Sequence, residues 1–129
     1  MNSDLLPGRS LKPGENLTSP TGAFQLAFQP TDGNVVLYAL DDTHYPVEVK
    51  YTRVIYSFGV QDRSASTLIM QTYGDLQVLD GETHVIWASQ TPYYQDQGAF
   101  LRVQDDGNLV IYLPSGEFIW QSHTAAGPR

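Results

Sequence analysis

The stretch that decides the fold is Phe100–Tyr112, which reads FLRVQDDGNLVIY. Apolar residues alternate with other residues on both sides of an Asp-Gly pair, which is typical of two strands joined by a tight turn. Because successive residues of a strand face opposite sides, parity separates a core face from an outer face. The core face comprises Leu101, Val103, Leu109 and Ile111. The outer face comprises Gln104, Asp106, Asn108, Val110 and Tyr112.

The outer face carries the chemistry, because four of its five residues form hydrogen bonds. Gln and Asn donate and accept, Asp accepts, and Tyr does either. A sugar presents neighbouring hydroxyls with the same dual capacity, separated by C–H patches that a valine can contact. The row therefore predicts a site for a neutral polyol rather than for an anion or an apolar ligand. Taken alone, Asp105–Asn108 is also consistent with a simple hairpin turn.

The same pattern occurs twice more in the chain. Thr67–Leu79 reads TLIMQTYGDLQVL and aligns with Phe100–Tyr112 at an offset of 33 residues, the same offset that separates Trp87 from Trp120. A further copy begins at Phe24 and has Tyr56 at the tryptophan position. We expect one domain over 1–129, with repeats at about 20–57, 64–91 and 97–124.

The first repeat is longer than the others. Tyr38 lies 18 residues before Tyr56, against 8 in the other copies, which indicates a ten-residue insertion within 39–53. We interpret the insertion as a lengthened hairpin, with an additional contact surface as the alternative. One further residue near Pro30 leaves the glutamine position open, since Gln29 would occupy it only if the strand bulges.

Short strands separated by Gly and Pro, with no sustained helical periodicity, indicate an all-β fold. Three copies of about four strands predict a closed, prism-like arrangement with pseudo-threefold symmetry. We expect Tyr56, Trp87 and Trp120 to form a shared core, because they occupy equivalent positions; stacking on sugars is the alternative.

The composition disfavours several functional classes. Seven basic and 14 acidic residues give a net charge of −7, so we expect no binding of nucleic acid or anionic membranes. The absence of cysteine excludes disulfides, thiol catalysis and cysteine-ligated metals. His44, His84 and His123 lack metal-ligand spacing, and no Gly-x-Ser-x-Gly motif occurs. We therefore expect no metal, no cofactor and no enzymatic activity.

The sequence begins without the basic and apolar regions of a signal peptide, and no apolar run reaches the length of a membrane span. We expect a protein that stays in the cytosol or a mature secreted form, with no membrane insertion.

The row from Gln104 to Tyr112 resembles the mannose-binding motif of the monocot bulb (snowdrop-lectin-like) lectins. Leu5–Pro20 looks like that family's first strands, and the Trp-x-Ser-x-Thr endings at Trp87 and Trp120 fit as well. The resemblance implies a β-prism II fold of three four-stranded sheets, and calcium-independent binding of α-mannose in oligomannose glycans or glycoproteins. It also implies a homodimer that exchanges the C-terminal strand, here Gln121–Arg129.

The resemblance also implies a role for each residue of the third repeat. Asp106 and Asn108 would bond the axial 2-hydroxyl of mannose, which distinguishes it from glucose. Gln104 would bond the 3-hydroxyl, Tyr112 the 4-hydroxyl, and Val110 would pack against ring carbons.

The other repeats match the motif to different degrees. The first repeat offers a second candidate mannose site, with the residues Gln29, Asp32, Asn34, Val36 and Tyr38. The second repeat keeps only the glutamine, so we expect it to be inactive; its residues are Gln71, Tyr73, Asp75, Gln77 and Leu79. This degenerate copy and the insertion motivate an alternative function, a protein-interaction or bacteriocin-like module that retains a residual sugar site.

Overall fold

The computed structural model describes residues 2–41 and 50–125, and in these ranges the chain forms twelve β-strands. The N-terminal segment contains β1 (Asp4–Leu5), β2 (Ser10–Leu11) and β3 (Asn16–Thr18). The first repeat contains β4 (Phe24–Phe28), β5 (Val35–Asp41) and β6 (Lys50–Ser57). The second contains β7 (Ala65–Met70), β8 (Leu76–Asp80) and β9 (Val85–Ala88). The third contains β10 (Phe100–Val103), β11 (Leu109–Tyr112) and β12 (Phe118–Gln121).

The strands form three four-stranded antiparallel sheets, which we name by repeat. The first sheet has the order β3-β4-β5-β6, the second β2-β7-β8-β9 and the third β1-β10-β11-β12. Each repeat therefore supplies three strands rather than the expected four, and the N-terminal segment supplies the fourth. Its buried leucines, Leu5, Leu11 and Leu17, recur every six residues and join a different sheet each time.

Aromatic side chains from the three sheets meet in the core. The ring centroid of Trp120 lies 5.8 Å from that of Trp87 and 6.1 Å from that of Tyr56. Phe58 stacks on Trp87 at 4.1 Å and contacts Tyr56 and Trp120 edge-on. The structure thus places all three repeat-equivalent aromatics in a shared core, as the repeat pattern predicts. The sequence did not single out Phe58, which is buried among them.

The insertion in the first repeat lengthens a hairpin, as the sequence predicts. Leu40 pairs with Tyr51, and Asp41 pairs with Lys50, beyond the point where the corresponding strands of the other repeats end. Residues 42–49, including His44, lie outside the described residues.

The C-terminal segment is bonded to the third repeat as far as Thr124. β12 pairs with β11, and Ser122 and Thr124 hydrogen-bond to Asn108 and Gly107. Residues 126–129 lie outside the described residues.

Gly33, in the turn of the first repeat, allows a close approach of two backbones. Its φ is +76°, and a Cβ there would lie 1.9 Å from the Asp62 carbonyl oxygen. We expect Gly33→Ala to lower the free energy of unfolding by about 1–3 kcal/mol more than Gly116→Ala. Gly116 is the matched control because its φ is +92° but nothing lies within 4 Å of its Cβ position. Equal losses in denaturant titrations would contradict the close approach.

Candidate functional sites

The turn of the third repeat brings the predicted residues together. Gln104 N–H donates to the Asn108 carbonyl at 3.0 Å and closes the turn between β10 and β11. Within the turn, Asp106 Oδ1 accepts from the Asn108 backbone N–H at 2.9 Å. Asp106 is thereby fixed beside Gln104, whose Nε2 donates to both carboxylate oxygens at 3.1 and 3.2 Å.

Gln104 connects the turn to the end of β11. The Tyr112 hydroxyl donates to Gln104 Oε1, so tyrosine, glutamine and aspartate form one chain of hydrogen bonds. The chain fixes which end of the Gln104 amide accepts and which end donates. It leaves the Tyr112 oxygen able to accept from a ligand and the Asp106 carboxylate able to accept further hydrogen bonds.

Asn108 is held by more contacts than any other residue of the row. Its Oδ1 accepts from Leu109 N, Ser122 Oγ and Thr124 N at 3.1, 3.0 and 3.2 Å. Its Nδ2 donates to Gln121 Oε1 at 3.0 Å. Among the described residues these contacts use one of the two Nδ2 hydrogens, so the second is available as a donor of fixed direction.

Val110 forms the floor of the third site. It is 3% exposed and lies one position along the outer face from both Asn108 and Tyr112. The core face is as predicted, since the side chains of Leu101, Val103, Leu109 and Ile111 are fully buried.

The first repeat has the same hydrogen-bond chain. The Tyr38 hydroxyl donates to Gln29 Oε1, and Gln29 Nε2 donates to Asp32 Oδ1 at 3.1 Å. Asp32 Oδ1 also accepts from the Asn34 backbone N–H at 2.9 Å. Val36 is 4% exposed, matching Val110. The two sites therefore share one geometry.

The structure places Gln29, and not Pro30, at the glutamine position. The expectation that a strand bulge would be needed is wrong, because β4 and β5 pair without a register shift from Phe24 to Phe28. The extra residue lies in the turn instead. The bond that closes this turn runs from Gln29 N–H to the Asn34 carbonyl, whereas in the third repeat it runs from Gln104 N–H to the Asn108 carbonyl. The turn of the first repeat is therefore one residue longer.

Asn34 is less supported than Asn108. Phe58 and Val60 occupy the positions of Ser122 and Thr124. The hydrogen bond that the Ser122 hydroxyl donates to Asn108 Oδ1 therefore has no counterpart at Asn34. Asn34 Oδ1 accepts from Val35 N and Val60 N at 2.9 and 3.0 Å, and Nδ2 donates to Ser57 Oγ at 2.9 Å. Its amide has the same orientation as that of Asn108 but is more exposed.

In the second repeat, the polar side chains of the outer face form hydrogen bonds with one another. Gln77 stands at the valine position, accepts from Gln71 Nε2 at 3.0 Å, and donates to Asp75 Oδ2 at 2.8 Å and to the Tyr73 hydroxyl at 3.3 Å. Asp75 and Gln77 are both buried. Leu79 removes the hydroxyl that Tyr112 supplies. This face has neither the apolar floor nor the paired aspartate and asparagine of the other two.

Known structures resemble this chain over almost its full length. A monomeric monocot mannose-binding lectin from Gastrodia elata is 33% identical, with a TM-score of 0.76 over 96% of this chain and 99% of its own. The mannose-specific agglutinin of snowdrop (Galanthus nivalis), solved with methyl-α-D-mannoside, is 32% identical, with a TM-score of 0.70 over 98% and 100%. A Marasmius oreades lectin is 29% identical, with a TM-score of 0.78 over 98% and 94%.

This chain belongs to the monocot mannose-binding lectin family. Its three sheets form the β-prism II fold of the bulb-type lectins. No protein-family model and no curated protein sequence matched it.

Three further observations concern other features of this bulb-type lectin. Within residues 2–41 and 50–125, no group of three or more His, Asp or Glu side chains converges as metal ligands do. No helix in that part of the chain could cross a bilayer. A groove of about 260 Å³ opens beside Gln29 and is lined by Phe28, Pro30 and Asn16 among others.

The turn of the third site is fastened to the first repeat through Asp105. Its Oδ1 accepts from Thr21 Oγ1 at 2.6 Å and from Thr21 N at 2.9 Å, and these bonds hold the pKa of Asp105 below its ordinary value of 3.8. A lowered pKa stabilises the fold above the unfolded-state pKa, and this contribution disappears as the pH falls through the folded-state pKa.

We expect Asp105→Asn to lower the free energy of unfolding at neutral pH, because asparagine resembles the protonated acid. The difference from the wild type should shrink below pH 4 and vanish at lower pH. Urea titrations at a series of pH values measure it. A difference that persists unchanged in acid would contradict a role for the charge.

Proposed function

We propose that this protein is a calcium-independent lectin that binds α-D-mannose in oligomannose glycans or glycoproteins at its first and third repeats. The observation that carries the proposal is the matched chain of hydrogen bonds from tyrosine through glutamine to aspartate in both repeats. The second repeat, whose outer face is bonded internally, is proposed to be inactive.

The arrangement suits a pair of sugar hydroxyls. One hydroxyl can donate to the Asp106 carboxylate while it accepts from the remaining Nδ2 hydrogen of Asn108. A neighbouring hydroxyl can bond to the Gln104 amide and the Tyr112 oxygen, while C–H groups lie over Val110. In the first repeat, Asp32, Asn34, Gln29, Tyr38 and Val36 would take the same roles. The snowdrop agglutinin, 32% identical, was solved with a mannoside, which supports the choice of sugar.

We also propose that the chain is a single bulb-type lectin domain over 1–129 and catalyses no reaction. The carboxylates of the two proposed sites, Asp32 and Asp106, belong to separate repeats, and each accepts a hydrogen bond from a backbone N–H of its own turn. Binding by a single site should be weak, because a monosaccharide makes few contacts and gives up hydrogen bonds to water. Several sites in one molecule or oligomer would raise the avidity for a glycan with several mannose residues.

A homodimer is a further proposal, which rests on the resemblance alone. By that resemblance, the two subunits would meet through the C-terminal strand, here Gln121–Arg129. Sedimentation equilibrium tests the proposal, with a mass of twice 14.3 kDa expected for a dimer. A mass of 14.3 kDa at all concentrations would overturn it.

The sugar specificity is tested by calorimetric titration in EDTA with methyl α-mannoside and methyl α-glucoside, which differ only at the 2-hydroxyl. We expect saturable binding of the mannoside and much weaker binding of the glucoside. Equal binding of the two would contradict the proposed role of aspartate and asparagine. Absence of mannoside binding at tens of millimolar would favour the protein-interaction alternative.

A further inference from the structure

The outer face of the third sheet carries an exposed aromatic ring beside the third site. Tyr112 pairs with Phe118, and Ile111 pairs with Trp120, because a bulge at this point makes Ile119 an extra residue. Ile119 and Trp120 both pack on the core, so Phe118 turns to the same side as Tyr112. Its side chain is 56% exposed.

A second phenylalanine lies on the opposite side of Tyr112. Phe100 pairs with Tyr112 across β10 and β11, and their ring centroids are 6.0 Å apart. Phe100, Tyr112 and Phe118 therefore form a row across three neighbouring strands, which we call the aromatic shelf. Tyr112 belongs to both the third site and the shelf, so a ligand in the site lies against the shelf.

An ion pair between Arg102 and Asp4 lies beside the aromatic shelf and carries no net charge. The Arg102 guanidinium lies 5.1 Å from the ring centroid of Phe100 and 5.9 Å from that of Tyr112. Its Nε and one terminal nitrogen donate to the two oxygens of Asp4 at 2.9 and 3.0 Å. Because the Asp4 carboxylate neutralises the Arg102 guanidinium, this surface favours a neutral ligand group over an anionic one.

In the first repeat, the described positions equivalent to Phe100 and Phe118 carry no aromatic ring. Tyr38 pairs with Gln25 on one side and Val54 on the other, and Val36 pairs with Ala27 where Val110 pairs with Arg102. The two sites thus share the residues proposed to hold one sugar but differ in what lies beside it.

We propose that the aromatic shelf is a subsite of the third site, which takes a second, neutral pyranose of the same glycan by stacking its C–H face on the exposed ring of Phe118, beside Tyr112. This inference rests on the proposed mannose binding at the third site. It makes the third site selective for extended glycans, whereas the first site treats a monosaccharide and a disaccharide more nearly alike.

The test compares methyl α-mannoside with mannobiose by calorimetry, using a background variant, Asp32→Asn, in which only the third site binds. We expect mannobiose to bind about threefold to tenfold more tightly than the monosaccharide. Phe118→Val gives the third site the valine of the first, and it should bring this ratio close to one. Urea titration of each variant verifies folding, which an exposed side chain should not affect.

The matched variant is Val54→Phe in an Asp106→Asn background, in which only the first site binds. It should raise the mannobiose preference of the first site. An unchanged ratio in Phe118→Val, or an equal loss for both sugars, would overturn the subsite. Failure of the wild type to bind either sugar would instead overturn the proposed function, and the subsite with it.

Discussion

Asp106→Asn should strongly weaken mannoside binding by the third site while leaving the turn intact. Asparagine keeps the Oδ1 atom that accepts from the Asn108 backbone N–H. It replaces Oδ2 with a donor that faces the Gln104 amide nitrogen, which lies 3.2 Å from that oxygen. The ligand then loses a charged acceptor. Hydrogen bonds to charged groups contribute about 1.5–3 kcal/mol, so we expect roughly a tenfold to hundredfold loss of affinity.

Calorimetric titration with methyl α-mannoside measures this loss, and the neighbouring carboxylate provides the control. Asp105→Asn changes the same charge in the same turn, but its side chain faces Thr21 rather than the site. It should bind as the wild type does. The double variant Asp32→Asn/Asp106→Asn should show no measurable binding. Wild-type affinity in the double variant would contradict the assignment of both sites.

Phe58→Ala should cause the largest loss of stability among these variants. Phe58 is 7% exposed and lies between aromatic side chains of all three sheets, with its ring 4.1 Å from Trp87. Removing it leaves a cavity that Tyr56, Trp87 and Trp120 cannot fill without moving. Truncation of a buried phenylalanine costs about 3–5 kcal/mol, a large share of the stability of a small domain.

The measurement is a urea unfolding titration followed by tryptophan fluorescence, since Trp87 lies against the removed ring. Tyr93→Ala is the control, because Tyr93 is 79% exposed and its truncation should change the free energy of unfolding by less than about 0.5 kcal/mol. A loss below about 1 kcal/mol for Phe58→Ala would show that the three sheets do not depend on this ring for their packing.

The sequence predicted the fold because its information was local and repeated three times. Alternation in Phe100–Tyr112 assigned Leu101 and Ile111 to the core, and both are fully buried. The offset of 33 residues aligned Trp87 with Trp120, which meet in the core. The resemblance added the three four-stranded sheets, which the structure and its similarity to the snowdrop agglutinin confirm.

Features that depend on a break in the alternation were missed. By parity alone, Phe118 should face the core with Trp120, but the bulge opposite Ile111 and Tyr112 reverses it. The choice between Gln29 and Pro30 stayed open because a turn and a strand can each absorb one residue. The contact of Arg102 with Asp4 joins residues 98 positions apart, which no local pattern reveals. A signal for Phe58 existed, since it replaces the serine found at residues 89 and 122.

The most direct test of the account is a two-dimensional ¹H–¹⁵N NMR titration with methyl α-mannoside in EDTA, read on the side-chain amides. The first and third sites contain Gln29, Asn34, Gln104 and Asn108, and the second repeat contains Gln71 and Gln77. We predict saturable shifts of the first four amides and no shift of the last two. Shifts at Gln71 and Gln77, or no shift of any amide at tens of millimolar mannoside, would contradict it.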